Sequence, residues 1–469
     1  MKKTIALFLA TVMMLGVFAG CGSKKEDSAP AAPETEQTTT PETPATKPEA
    51  TEPEVPAAET TIKVAAVSTA FTDTYPEMWK EVADAFTAET GIAVELIEEK
   101  NLEDVISPAM QGGEYPDVIY LPYGRPAALT EQFVKGDLMA DLTDVLSMTV
   151  PGEEALVSDK IAGGFTDNSM TNPYGDGKTY LAPMFYDPCG LFYNAGLFEE
   201  KGWEVPATWD EMWELGEKAK AEGIALFTYP TAGYFDAFLY ALLNSVGGSE
   251  FFDAVTTYQE GIWETEEGNK VFEILNKLAQ YTNPVTPAQA NDQDFTQNQQ
   301  LILDNKALFC PNGTWLPGEM ADAPRAGGFK WGMTALPALE EGGAGYSFCW
   351  FQQAWIPAQA ENIDAAKQFI AFLYSDKACE IFLKGGAVQP VIGVAENLEG
   401  EKKEFFSLYD NGAKAAMGGF AATESVAGLG TTREVYQDPM NALVSGNLTA
   451  EQWQADVIAA NDQFRANMK

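Results

Sequence analysis

A chain of 469 residues has room for two large domains, and a hydrophobic content of 46% is enough to fill their cores. Its formal net charge of −40 is the reverse of the basic footprint nucleic acids require, and it disfavours anionic ligands at long range. Histidine is absent, which excludes Ser-His-Asp triads, Cys-His dyads and histidine-based zinc sites.

At the N-terminus, Lys2 and Lys3 precede an apolar run from Ile5 to Phe18, closed by the small residues of Phe18-Ala19-Gly20-Cys21. This looks like a bacterial lipoprotein signal over residues 1–20, with Cys21 lipidated as the mature N-terminus. Gly22 and Ser23 fit that pattern, whereas Phe18 departs from the usual Leu, Val or Ile. The run is shorter than the ~20 apolar residues a membrane span needs. After Cys21, the segment up to residue 61 is rich in Pro, Thr, Ala and Glu and has no aromatic residue. Such a composition cannot offset its chain entropy, so a disordered tether is expected.

Order is expected from residue 62. Ile62–Val67 reads as a strand, and Pro76–Glu89 as a helix with Trp79, Val82, Ala83 and Phe86 at helical spacing and Gly91 at its end. Ile92–Ile97 is a second strand and Asp117–Leu121 a short buried third. This alternation predicts an α/β domain with a largely parallel sheet. Ligands then sit beyond the C-terminal strand ends, which singles out Tyr123, Gly124 and Arg125.

Gly175–Asn194 reads as strand, strand, then a helix start; its aromatic run carries Tyr186, Asp187 and Tyr193. Thr208 with Glu211 makes a capping box for a helix to Glu222. Ala225–Tyr229 is a strand, Gly233-Tyr234-Phe235-Asp236 opens a helix to Ser245, and Glu266–Ala279 is another helix. Ala307–Cys310 is a buried strand running into Asn312-Gly313-Thr314-Trp315, and Trp331-Gly332-Met333 begins the next. Tyr346–Ile356 is a strand with Phe348 and Trp350 on one face and Phe351 and Trp355 on the other. Helices over Ile363–Tyr374 and Ala450–Phe464 complete the chain. Cys189, Cys310, Cys349 and Cys379 form no CxxC pair; three disulfide pairings are open, and free buried thiols are expected. The polar loop from Asp167 to Asp176 has oxygen ligands suited to calcium but misses the EF-hand glycine, and no metal site is assigned.

The mature region resembles the extracellular solute-binding lipoproteins of ABC sugar importers, the group that includes the maltose-binding proteins. The likeness is carried by Pro116-Asp117-Val118-Ile119, Gly177-Lys178 through Leu191-Phe192-Tyr193-Asn194, Pro206-Ala207-Thr208-Trp209-Asp210-Glu211, Asn312-Gly313-Thr314-Trp315, and Trp355-Ile356-Pro357 leading into Ala365-Ala366-Lys367-Gln368-Phe369-Ile370. Leu226-Phe227-Thr228-Tyr229-Pro230, Asn312–Trp315 and Pro317-Gly318-Glu319 look most like the branch that binds N-acetylglucosamine and its short β-linked oligomers.

The resemblance implies an α/β, two-lobed, periplasmic-binding-protein-like fold of type II, with three interlobe crossings and a ligand cleft. Lobe I would comprise 62–190 plus 352–387 and lobe II 194–346 plus 392–469, with hinges near 191–194, 347–355 and 388–391. It also implies a non-enzymatic, cofactor-free monomer that captures a sugar, delivers it to ABC permease subunits, and is lipid-anchored to the outer face of the cell membrane through Cys21.

Sugar binding needs aromatic faces for pyranose rings and planar polar groups for hydroxyls. Trp315 has the family position of an aromatic platform, and Asp187 that of an acid that binds sugar hydroxyls. Asn312 is a hydroxyl partner or a turn former. Arg125 and Arg433 are pocket residues or surface ion pairs. Tyr123, Tyr186, Tyr229, Tyr234 and Trp350 complete the candidates. Two other classes stay open: a glycosidase using two carboxylates, and a sensor subunit passing closure to a signalling partner.

Overall fold

The computed structural model describes residues 60–468, leaving aside Gly124, Pro126, Asp167, Ala232, Gly233, Asp292 and 421–427. The signal, Cys21 and tether readings lie outside the described residues, as does Gly124 beside the first candidate loop.

Nine strands carry the fold: β1 (Thr61–Val67), β2 (Ala93–Glu99), β3 (Val118–Tyr120), β4 (Leu181–Asn194), β5 (Ala225–Phe227), β6 (Ala307–Gly313), β7 (Trp331–Thr334), β8 (Tyr346–Trp355) and β9 (Lys414–Ala416). They are ordered β2-β1-β3-β8-β4-β6-β5, with β7 on β4 and β9 on β8. β1 runs parallel to β2 and β3, and β5 parallel to β6. β8 runs antiparallel to β3 and β4, and β4 antiparallel to β6 and β7. The sheet is therefore mixed, not largely parallel. The reason is traffic: the chain leaves the first sheet on β4 and returns to it on β8, so those two strands point opposite ways.

β4 is one strand of 14 residues, not the two expected, and only Asp187 and Tyr193 along it are less than buried. Its first part lies beside the end of β8, with Leu181 opposite Trp355 and Pro183 opposite Gln353. The register shifts between Pro183 and Tyr186, after which Asp187 faces Trp350 and Pro188 faces Cys349. From Cys189 onward the partners are β6 and β7. The changeover between sheets thus falls at Pro188–Cys189, where a residue without an N–H interrupts the ladder. Leu191–Asn194, the expected first crossing, is already paired inside the second sheet. The segment 388–391 runs alongside: the Val388 carbonyl accepts from Tyr186 N–H at 3.1 Å, and Val391 bridges Ile161.

Two buried clusters flank this junction. One surrounds Trp79, Phe86, Tyr120, Phe369 and Phe382, between β1–β3 and the helices Met78–Thr90, Ile363–Phe372 and Asp376–Lys384. The other surrounds Phe227, Trp263, Tyr436 and Trp453, among the helices Trp209–Ala221, Phe235–Thr256, Glu266–Tyr281 and Ala450–Ala466. Phe405, Phe406 and Tyr409 join the first cluster and pack on β4 through Phe192 and Tyr186. The helix opened by Tyr234 runs on to Thr256, past the expected Ser245, through a break at Gly248 with φ 69°. The four cysteines from Cys189 onward are buried and unbridged, as expected.

Thr208 caps its helix as read: its Oγ1 accepts from Glu211 N–H, and Glu211 Oε2 accepts from Thr208 N–H, both at 3.3 Å. Thr208→Ala should cost about 1 kcal/mol in denaturant unfolding, whereas Thr208→Ser should be nearly neutral. Equal midpoints for the three proteins would show that the cap contributes nothing.

Candidate functional site

The candidate residues that the structure brings together lie around the changeover on β4. Asp187 is the partly exposed residue there, because the flanking Tyr186 and Pro188 turn inward. Its Oδ1 accepts from Thr314 Oγ1 at 3.3 Å, and its cross-strand partner is Trp350, whose side chain is 54% exposed. Burial pushes the Asp187 carboxyl above its ordinary range; the Thr314 hydroxyl and, more weakly, Lys402 pull it back. No arginine is among these influences.

The end of β6 supplies the second part. Asn312 is 1% exposed and sits opposite Gly190. Its Oδ1 accepts the Gly313 N–H at 2.8 Å, while its Nδ2 has no partner. A buried donor left unmade costs about 1–3 kcal/mol. Trp315 follows, with its indole lying over Gly313: a Cβ at Gly313 would come within 2.2 Å of the ring. The Tyr234 ring lies 6.3 Å from Trp315, and Phe295 lies 6.3 Å beyond Tyr234.

Other candidates are engaged elsewhere. Tyr186 is 7% exposed, packed among Phe165, Phe406 and Tyr409, and its hydroxyl donates to the Phe406 carbonyl at 3.2 Å. Tyr229 is fully buried and donates to Asn441 Oδ1 at 2.8 Å. Arg125 forks onto Glu103, with Nε–Oε1 at 2.5 Å and Nη2–Oε2 at 2.8 Å, clamping the segment after β3 to the helix Leu102–Gln111. Arg433 pairs with Asp438 at 3.1 Å on the surface. Tyr123 is half-buried on the first-sheet side, and burial raises its hydroxyl pKa.

Two residues went unassigned in the sequence. Thr314 was read only as part of a turn motif, yet it holds Asp187. Asp236 was read only as a helix opener. It is half-buried in the first turn of the helix Phe235–Thr256, where its Oδ1 accepts from Ala237 N–H at 2.6 Å. Burial pushes its carboxyl up to about 6, against the smaller downward pulls of that hydrogen bond and of Arg433. An acid directly after two aromatic residues at a helix start was the available signal.

A family model described as bacterial extracellular solute-binding protein matches residues 81–404, and the chain belongs to that family. The diacetylchitobiose binding protein NgcE of Streptomyces coelicolor is 29% identical over 211 residues, 42% of this chain and 42% of that protein. The galactooligosaccharide-binding protein of Bacillus subtilis is 26% identical over 307 residues, 64% of this chain and 66% of that protein. The chain thus spans between two-fifths and about two-thirds of the length of these curated relatives. The solved structure of the bacterial solute receptor AcbH, described as having an exclusive preference for β-D-galactopyranose, superposes with a TM-score of 0.64 at 18% identity, covering 87% of this chain and 99% of that one. That likeness is one of fold: two lobes, each built on an α/β sheet.

Two outcomes are expected. Gly313 does not need positive φ, so Gly313→Ala should leave the denaturation midpoint nearly unchanged while displacing the Trp315 ring, seen as a change in near-ultraviolet circular dichroism. An unaltered spectrum would show that the ring is not held there. Separately, the folded-state pKa of Asp236 lies above its ordinary 3.8, so the native state holds the extra proton and stability falls as pH rises from about 4 through about 6. Asp236→Asn should therefore melt higher than the parent protein above about pH 7 and converge with it near pH 4. A lower melting temperature for the variant at neutral pH would contradict this.

Proposed function

We propose that this chain is the extracytoplasmic receptor of an ABC-type carbohydrate importer, tethered to the outer face of the membrane through lipidated Cys21. It captures a mono- or oligosaccharide of the N-acetylglucosamine or chitobiose kind, closes over it as a monomer, and delivers it to the permease subunits. One observation carries this reading. Trp315 and Trp350 offer aromatic surface on either side of Asp187, Thr314 and the unpartnered Asn312 Nδ2, all at one strand junction. Indole faces stack on the apolar faces of pyranose rings, while the carboxylate and amide take up hydroxyls. The diacetylchitobiose binding among its relatives supports the narrower choice of sugar.

Closure turns on the changeover at Pro188–Cys189, on β8 beside it and on 388–391, which runs alongside Tyr186. The sugar favours the closed form by as much as its contacts to both lobes exceed its contacts to one. Micromolar affinity needs a net ~8 kcal/mol, within reach of two stacked rings and a cluster of hydrogen bonds. Receptor and glycosidase are separated by incubation: a receptor returns the sugar intact, and hydrolysis products would show an enzyme.

Thermal-shift screening of a sugar panel led by N-acetylglucosamine and diacetylchitobiose is the direct test. Trp315→Ala should weaken the best ligand by at least ~10-fold in calorimetry, with the fold intact. Unchanged affinity sinks the platform role, and stabilisation by maltodextrins but not amino sugars overturns the narrower sugar choice.

A further inference from the structure

Asp236 lies beyond the C-terminal end of β5, two residues from Tyr234, whose ring neighbours Trp315. Among the described residues its only hydrogen bond is the one from Ala237 N–H. No described cation pairs with it: Arg433, on the helix Thr432–Tyr436, is engaged with Asp438 and acts on Asp236 from a distance. The other titratable groups facing it are Cys189 on β4 and Tyr234 and Tyr240 on its own segment. All three are uncharged at neutral pH, since burial raises each above its ordinary value. Cys189 feels the charge of both Asp236 and Asp187. The helix N-terminus offsets part of the cost of burying this charge. An Asn would accept the same Ala237 N–H without any charge to bury, so the carboxylate itself remains to be explained.

We propose that Asp236, as its carboxylate, accepts a hydroxyl hydrogen bond from the bound sugar and, with Asp187, selects neutral sugars against anionic ones. The inference rests on the sugar-binding reading above. A uronate or other anionic sugar would place a third negative charge beside two carboxylates that have no described cation in contact. A neutral sugar hydroxyl instead supplies the donor that the free carboxylate lacks. Such a donor must lower the carboxyl's pKa from about 6, so binding releases protons on the acid side and affinity falls as pH drops through that value.

The test is calorimetry on the full chain with diacetylchitobiose and with a digalacturonate of similar size, each in two buffers of different ionisation enthalpy. From about pH 7.5 to about pH 5 the parent protein should lose about ten-fold in affinity, with proton release. Asp236→Asn should bind about ten- to a hundred-fold more weakly at the higher pH and lose the proton release, while melting no lower than the parent. The digalacturonate should bind far more weakly than the neutral sugar, and Asp187→Asn combined with Asp236→Asn should narrow that gap. A variant that binds like the parent, one whose melting temperature falls along with its affinity, or equal affinity for the two sugars overturns the inference alone. A parent protein silent toward every neutral sugar of the panel overturns the sugar reading and the inference with it.

Discussion

Everything in this structure hangs on the antiparallel pairing of β4 with β8. These strands are the longest of the nine; β4 contributes one end to the first sheet and the other to the second, while β8 pairs with β3 and β4 at one end and with β9 at the other. Because the chain goes out on one and back on the other, the two sheets are joined through shared strands as well as loops. The prolines at 183 and 188 remove donors from this shared ladder, and the register shift lies between them. A continuous strand pair would resist bending, whereas an interrupted one keeps the lobes attached while leaving the junction compliant. Asp187 and Trp350 face each other beside that interruption, so under the proposed reading the ligand contacts and the bending element fall on the same few residues.

The junction is also where the protein tolerates poor polar satisfaction. Asn312 keeps a buried amide donor unmade, and Asp187 and Asp236 carry carboxylates that burial pushes toward protonation. Such groups are costly in a core, and under the proposed reading their partners arrive with the ligand. Buried groups without a partner occur elsewhere too, at the indole N–H of Trp79, Trp263 and Trp355 and at the Gln353 amide, while other positions are met. Asp117 accepts from Lys63 and Asn362 N–H groups, tying β1 to the helix at 363, and Asn298 donates to the carbonyls of Tyr229 and Thr286.

Much of the fold was legible. Period-two and period-3.6 patterns located β1, β2, β8 and the long helices, and the Thr208–Glu211 spacing gave a cap that the structure reproduces. What failed did so for identifiable reasons. A polar Asp and two prolines inside Leu181–Asn194 mimic a break between two strands, because local pattern carries no information about a strand that changes partners midway. Sheet direction failed likewise: alternating β and α segments look the same whether or not the chain later returns. Among the candidate residues, Asn312 and Trp315 share one local motif, and the β4–β6 pairing brings Asp187 to them. Tyr186 and Tyr229 were chosen for their aromatic character, which serves a core as well as a cleft, and only tertiary packing decides between the two. Arg125 was singled out by its place just past the strand Asp117–Leu121, and its bidentate hold on Glu103 depends on a helix that neighbouring sequence does not reveal.

The shared strands also govern the order in which this molecule can be made. β3 finds its second neighbour only when β8 arrives, and Tyr120 and Gln352, hydrogen-bonded to each other, stand 232 positions apart in the chain. Until then the first sheet has an open edge and an incomplete core, since Trp355, Phe369 and Phe382 are all still to come. Neither half can finish before most of the polypeptide has emerged, and contacts of such long range make folding slow. A chain built this way remains unfolded, and therefore threadable through a narrow export channel, for as long as its C-terminal third is missing.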